Sequence, residues 1–451
     1  MNKLLVLNGG ADVKPGNRSA YLKFDDPISV FKKMGINTGD VLVYDAMLKA
    51  LSYESIQNIQ FTDMADQAGW PKEAPTATVI RGSNYLAETV DLAPALPLLK
   101  KLAGPIVPIG VGAQAASYKK LNLSPGTIEA WRIIASKCKS IGVRGVYSAE
   151  VFNDIGIKNL RIIGCPSFYR SLHPSLTIRK IDPAKARVGL TLNKYLSKDY
   201  ATNATKTNRM QRALMEAVAC RSNSRLYSQG ESEESLAVFL PRDQRAEYVN
   251  SILARFGLSQ NAPCQALLTD RMFAFLDVDE WAKDVSQQID VMVGFRLHGN
   301  VIALHQGIPA VFFTYDSRIR ELAALFAAPA IEVEDYLPVN LDRILASMDF
   351  TAMEHAYRLN FAEYHQFLTE NGLLHRLPKP MAPASGKPLS TLNTVKLEYG
   401  ADEITNWFRG EIDFLSTENE MLRCRAWDLE LKLKDIREKA QASAKVGKVP
   451  A

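Results

Sequence analysis

The chain reads as an α/β protein of two Rossmann-like, doubly wound domains facing a cleft, followed by a C-terminal coiled-coil helix. Three observations predict this. Over residues 1–180 short apolar runs alternate with helical patterns, as in a parallel sheet with crossover helices. A second series of the same kind starts after Pro174 and Pro183. Near the C-terminus the pattern changes to a heptad repeat. With 451 residues and 47% hydrophobic content, the chain can bury two ordinary cores and still carry an extra element.

Taken in order, the first strand is expected at 4–7, before Asn8-Gly9-Gly10. That apolar run is too short for the core of a secretory signal. Further strands are expected at 78–81, 106–109, 141–143 and 160–163, with helical patterns over 40–51, 127–136 and 149–153. The second series places strands at 188–192, 225–228, 273–276, 290–293 and 310–314, and helical patterns end the stretch 331–376. The domains are therefore set at 1–180 and 181–376. Residues 377–391 (LPKPMAPASGKPLST) have no apolar period and predict a linker. The segment 392–440 is expected to hold the coiled-coil helix. In it Phe408, Leu415, Leu422, Leu429 and Ile436 recur every seven residues, while Ile412, Asn419, Ala426 and Leu433 fill the complementary position. A parallel homodimer through 404–437 follows, with Asn419 as its buried polar pair. The alternative is one amphipathic helix docked on the body.

A net charge of +5, spread along the chain, argues against a nucleic-acid partner. It suits anionic substrates or work near an anionic membrane surface. Five cysteines (Cys138, Cys165, Cys220, Cys264 and Cys424) are scattered without C-x-x-C spacing, as in a cytoplasmic protein with reduced thiols. No apolar segment approaches the roughly 20 residues that span a bilayer, so a soluble protein is expected.

The chemistry concentrates at residues 289–321, where an apolar strand ends at Gly294 and a short helix is expected to open at Gly299-Asn300. Between them stand Arg296 and His298, at the carboxyl edge of a parallel sheet and beside a helix N-terminus. That combination makes an anion site with a proton carrier in it. The bland alternatives are that His298 caps the helix and Arg296 pairs with a surface acid. Leu297 is expected in the core, and His305 as a packed or solvated residue. Arg144, after the strand at 141–143, is a second candidate cation, though a structural salt bridge explains it as well. Arg318 and Arg320 stand where a helix begins, and one of them is expected to complete the anion pocket. Gln229 follows the strand at 225–228 and is a candidate donor contact. Gly112, with Gln114, permits close backbone approach to a ligand, and Asp40 reads as a helix N-cap.

The stretch GFRLHGNVIALHQGIPAVFFTYDSRIREL (294–322) resembles the C-terminal signature of the polysaccharide pyruvyltransferase family. Asn37-Thr38-Gly39-Asp40, the loop Gly110 to Gln114, and the blocks Ser140 to Arg144 and Gly164 to Ser167 resemble its other loops, in order. One departure is Arg81-Gly82-Ser83-Asn84, where many members carry a run of glycines; Asn84 is the candidate contact there. The resemblance implies a GT-B-like pair of Rossmann-type domains. It also implies transfer of pyruvate from phosphoenolpyruvate to two hydroxyls of a sugar in a polysaccharide repeat unit, giving a cyclic ketal and free phosphate. His298 would be the proton shuttle and Arg296 the partner of the donor's phosphate or carboxylate; Asn37 and Gly39 would face the acceptor. No metal and no cofactor beyond the donor are expected, since the histidines lack ligand spacing. The acceptor implied is an exopolysaccharide or capsular unit, lipid-linked or free, at the inner face of the cytoplasmic membrane. Two other functions compete: a GT-B glycosyltransferase using a nucleotide sugar, and a scaffold without activity.

Overall fold

The computed structural model describes residues 2–14, 16, 18–63, 69–194, 200–335, 338–385, 388–410, 412 and 416. The chain divides into two compact units, Met1–Lys396 and Leu397–Ala451.

The first unit contains two parallel sheets. After β1 (Lys3–Leu7) comes a two-stranded antiparallel hairpin of β2 (Asp12–Val13) and β3 (Ala20–Tyr21). The first large sheet then adds β4 (Ser55–Ile59), β5 (Ala77–Arg81), β6 (Ile106–Val111), β7 (Ile141–Val143) and β8 (Leu160–Ile162). Its order is β4-β1-β5-β6-β7-β8, with every pair parallel. The second sheet holds β9 (Val188–Thr191), β10 (Arg225–Tyr227), β11 (Met272–Phe273), β12 (Val291–Gly294), β13 (Ala310–Thr314), β14 (Pro329–Glu332) and β15 (Asn393–Thr394). Its order is β11-β10-β9-β12-β13-β14-β15, again all parallel. Parallel strands covered on both faces are apolar throughout, and β6, β9, β12 and β13 are buried at every position.

Each order reverses once. The chain lays β4 on one side of β1 and β5 on the other; it lays β10 on one side of β9 and β12 on the other. Such reversals open a crevice at the carboxyl ends of the flanking strands, where α/β sheets take ligands. Here those ends carry residues 8–10 and 82–84 in one half and residues 192–193 and 295–296 in the other. This is the two-domain, cleft-facing architecture expected of a GT-B-like protein.

Four sequence expectations need correction. Strand β4 was missed because it is an edge strand whose side chains alternate between exposed and partly buried, so SIQNI shows no apolar run. Strand β14 was missed for its short length and leading proline. The helix Thr351–Glu370, assigned to the second domain, packs on β8 of the first sheet, where Arg161 pairs with Glu363 at 2.6 Å and Glu370 at 2.8 Å. Finally, the break between compact units falls after Lys396 rather than at 377–391, because β15 pairs with β14 and Val395 is buried. The segment expected to be coiled coil from 392 therefore begins in a strand. Residues 401–410 are helical, and Phe408 and Ile412 are exposed. Leu415, Asn419 and the later heptad positions lie outside the described residues.

Two seams join the halves of the first unit. On one, Arg170 bonds Asp45 of the helix Thr38–Ala50 at 2.6 Å and also pairs with Asp279 of the helix Val278–Gln288. On the other, Glu321 accepts from Ser148 N at 2.7 Å and Ser148 Oγ at 2.9 Å, in the first turn of the helix Val146–Asp154. Ser317 adds three bonds to the backbone of Ala115, two through Oγ at 2.8 and 3.1 Å and one from its N–H at 3.2 Å.

Candidate active site

Between the seams lies a cavity of about 340 Å³. Its lining comes from both halves and includes Asn37, Asn84, Gln114 and Arg144 from the first and Gln229, Arg296, His298 and Arg318 from the second. Eight of the ten residues singled out from sequence meet here.

Gly39 and Gly112 do not line the cavity. A β-carbon on Gly39 would stand 2.4 Å from His298 Nδ1, and one on Gly112 would stand 2.7 Å from Arg144 Cδ. Both glycines make room for side chains that line the cavity, rather than for a ligand.

The short helix Leu297–Leu304 starts earlier than expected, with Arg296 at its N-cap and His298 in its first turn. No side chain caps it, so the capping alternative for His298 does not apply. The ring sits between the N-terminal turn of helix Thr38–Ala50 and Cys165, whose Sγ is 3.7 Å from Nε2. Burial holds the imidazole well below its usual pKa, and the guanidiniums of Arg144, Arg318, Arg81 and Arg296 push the same way. His298 is therefore neutral near neutral pH. Leu297 is buried as expected, although it also touches the cavity. His305 caps the end of the helix, packed and buried, with its pKa pushed down by desolvation.

The arginines differ in how they are held. Arg296 pairs with Glu231, which is buried rather than at the surface, and its Nε donates to Leu192 O at 3.2 Å. Arg318 stands 3.1 Å from Asp316, while its buried Nε has no partner among the described residues. Arg320 faces away and pairs with Glu332. Arg144 is 1% exposed and has no acid at ion-pair distance among the described residues. Its Nε donates to Gly110 O at 3.1 Å and its Nη1 to Asn84 Oδ1 at 2.5 Å, while Nη2 is buried without a partner. The salt-bridge alternative for Arg144 thus fails. Asn84 in turn donates to Gln114 Oε1 at 2.9 Å, so it orients both neighbours. Gln229 is buried and its Nε2 has no partner among the described residues.

Asn37, not Asp40, caps the helix Thr38–Ala50, accepting from Gly39 N at 3.1 Å. The backbone of Thr38 donates across the cleft to Gln229 O at 3.2 Å. Asp40 lines the cavity and pairs with buried Arg81 at 3.3 Å. Sequence reasoning missed Asp40, Arg81, Asn193, Tyr200 and Tyr315 as members of this site. Tyr315 follows β13 and Asn193 lies just beyond β9, so both stand at the carboxyl edge that marked Arg296.

Three arginines and one carboxylate line the cavity among the described residues. Among the described residues Arg296 and Arg318 are each paired with an acid and Arg144 is not, so the arrangement has the cations and amide donors that an anionic ligand requires. A family model for polysaccharide pyruvyl transferase covers residues 37–317, more than half the chain. The chain belongs to the polysaccharide pyruvyl transferase family and is a transferase of polysaccharide biosynthesis.

No curated protein matched the sequence. Among solved structures it is similar to the UDP-GlcNAc 2-epimerase of Methanocaldococcus jannaschii, at 11% identity over 81% of this chain and 99% of that one, with a TM-score of 0.40. The MnaA–UDP structure of S. aureus is similar at 9% identity over 85% and 100% of the two chains, with a TM-score of 0.41. At this distance neither likeness speaks to the reaction.

Proposed function

We propose that the enzyme transfers pyruvate from phosphoenolpyruvate to two hydroxyls of a sugar in a polysaccharide repeat unit. The observation that carries this is the gathering of Arg144, Arg296 and Arg318 around the His298 imidazole in one cavity, with Asp40 as the carboxylate in its lining among the described residues. Phosphoenolpyruvate brings a carboxylate and a phosphate, which match separate guanidiniums and oriented N–H donors. Arg144, Arg318, Arg296 and Gln229 line the cavity that would receive it.

His298 then acts as proton shuttle. Burial and the surrounding cations lower its proton affinity, and a bound trianion would oppose the cations' field and raise it. The imidazolium so formed protonates the donor's methylene carbon, leaving carbon 2 open to attack. The neutral ring next takes a proton from the attacking hydroxyl. Two O–C bonds form at carbon 2 and its bond to the phosphate oxygen breaks. Of the two hydroxyl protons released, one resides in the new methyl group and the other leaves with phosphate.

The acceptor in this reading is an exopolysaccharide or capsular unit, presented in the cytoplasm at the membrane's inner face. No described helix is long and apolar enough to cross a membrane. A homodimer through the C-terminal helix belongs to the same proposal, supported by the heptads and by exposed Phe408 and Ile412. The test is calorimetry with phosphoenolpyruvate against a nucleotide sugar, followed by mass spectrometry for pyruvate added to glycans. Nucleotide-sugar binding without phosphoenolpyruvate binding would replace this reading with glycosyl transfer.

A further inference from the structure

A second cavity, of about 170 Å³, opens beside the first. Gln114 and Tyr200 line both, so the two chambers adjoin. Their chemistry differs sharply. The larger chamber has its arginines. The smaller has Glu88 and Lys119, which pair with each other at 2.9 Å, with Thr89, Ser117 and the Gln114 amide. Hydroxyl and amide groups beside an internally paired lysine suit a neutral, polyhydroxylated ligand better than a phosphate.

The chamber is built rather than incidental. Glu88 also accepts from Asn122 N at 3.1 Å, which fixes the loop that carries Lys119. Tyr147 donates its hydroxyl to Lys119 O at 2.8 Å and stacks on Tyr118, with centroids 4.7 Å apart. Tyr118 lies between Ser117 and Lys119 and is 49% exposed. A half-exposed tyrosine ring, flanked in the chain by two lining residues, presents an apolar face with a polar tip. A pyranose has the same division, with C–H bonds on its face and hydroxyls on its edge. Across the cleft Thr202 donates to Ala116 O at 2.9 Å, which ties the segment carrying Tyr200 over the junction.

We propose that this chamber is the acceptor subsite. It takes a neutral pyranose residue of the glycan adjoining the one that receives pyruvate, with Tyr118 as its stacking platform and Tyr200 at the junction. The proposal rests on the pyruvyl-transfer reading, since it assigns the larger chamber to the donor.

The test is saturation-transfer NMR on the full chain with lactose, cellobiose, maltose and chitobiose, beside calorimetry of phosphoenolpyruvate on the same samples. The expected result is ring-proton signals from at least one disaccharide with the wild type. In Ser117→Trp, which fills the chamber from an exposed position, affinity for that sugar should fall about ten-fold by overpacking. Tyr118→Ala, at a half-exposed ring, should weaken it about two- to ten-fold. Both variants should bind phosphoenolpyruvate as the wild type does. Undiminished sugar signals in both variants overturn the subsite, as does a wild type that binds phosphoenolpyruvate and none of the four sugars. A wild type that fails to bind phosphoenolpyruvate overturns the donor reading, and the subsite with it.

Discussion

His298 and Gly39 form one unit. The histidine stood out from its place after a strand, but its partner was legible only as a loop glycine, because nothing local says which ring packs on it. Gly39→Ala is the sharpest consequence. Alanine inside a helix is normally favoured over glycine by about 1 kcal/mol, yet here the new methyl group would meet the imidazole. Turnover should collapse while circular dichroism shows the helices intact; a Gly39→Ala enzyme with normal turnover would detach the ring from catalysis. His298→Ala should lower the rate of transfer by about 10²–10⁴-fold, with the fold retained. The burial of Arg144 without a counter-ion could not be read from Ser140 to Arg144 alone, since the room for its side chain comes from Gly112 and one of its bonds from Asn84.

At the scale of elements, the strands that were readable are the buried ones, such as β6 and β13, where both faces need apolar residues. Edge strands β4 and β15 gave no such signal, and the return of helix Thr351–Glu370 to the first sheet rests on ion pairs between residues some 200 positions apart. The seam at helix Val146–Asp154 carries its own prediction. Burial raises the Glu321 carboxyl to about 7, although its bonds from Ser148 pull the other way. Its folded pKa thus lies above the unfolded value, so between pH 4.5 and 7 the unfolded chain holds fewer protons than the native one. This group's contribution is greatest at low pH and declines as pH rises toward 7, by at most about 3 kcal/mol. Glu321→Gln should flatten that part of the stability–pH curve in denaturant titrations. A variant that keeps the wild-type slope would move its cause to another group.

For the molecule as a whole, the two-sheet plan was legible because alternation of strand and helix survives in a single sequence. The domain boundaries were not, since chain continuity hides where a late helix or strand returns. Truncation should follow the compact unit and stop at Lys396, keeping β15 in its sheet. The shortened chain should run as a monomer in light scattering and still bind phosphoenolpyruvate; a dimeric truncation would place the interface in the α/β body. The most direct test of the central claim is calorimetry of phosphoenolpyruvate with the wild type and with Arg144→Ala. The account predicts saturable binding to the wild type. Loss of one charged hydrogen-bonding partner, worth about 1.5–3 kcal/mol, should weaken it roughly ten- to hundred-fold in the variant. Equal affinity in the two proteins, or binding of a nucleotide sugar in place of phosphoenolpyruvate, would contradict it.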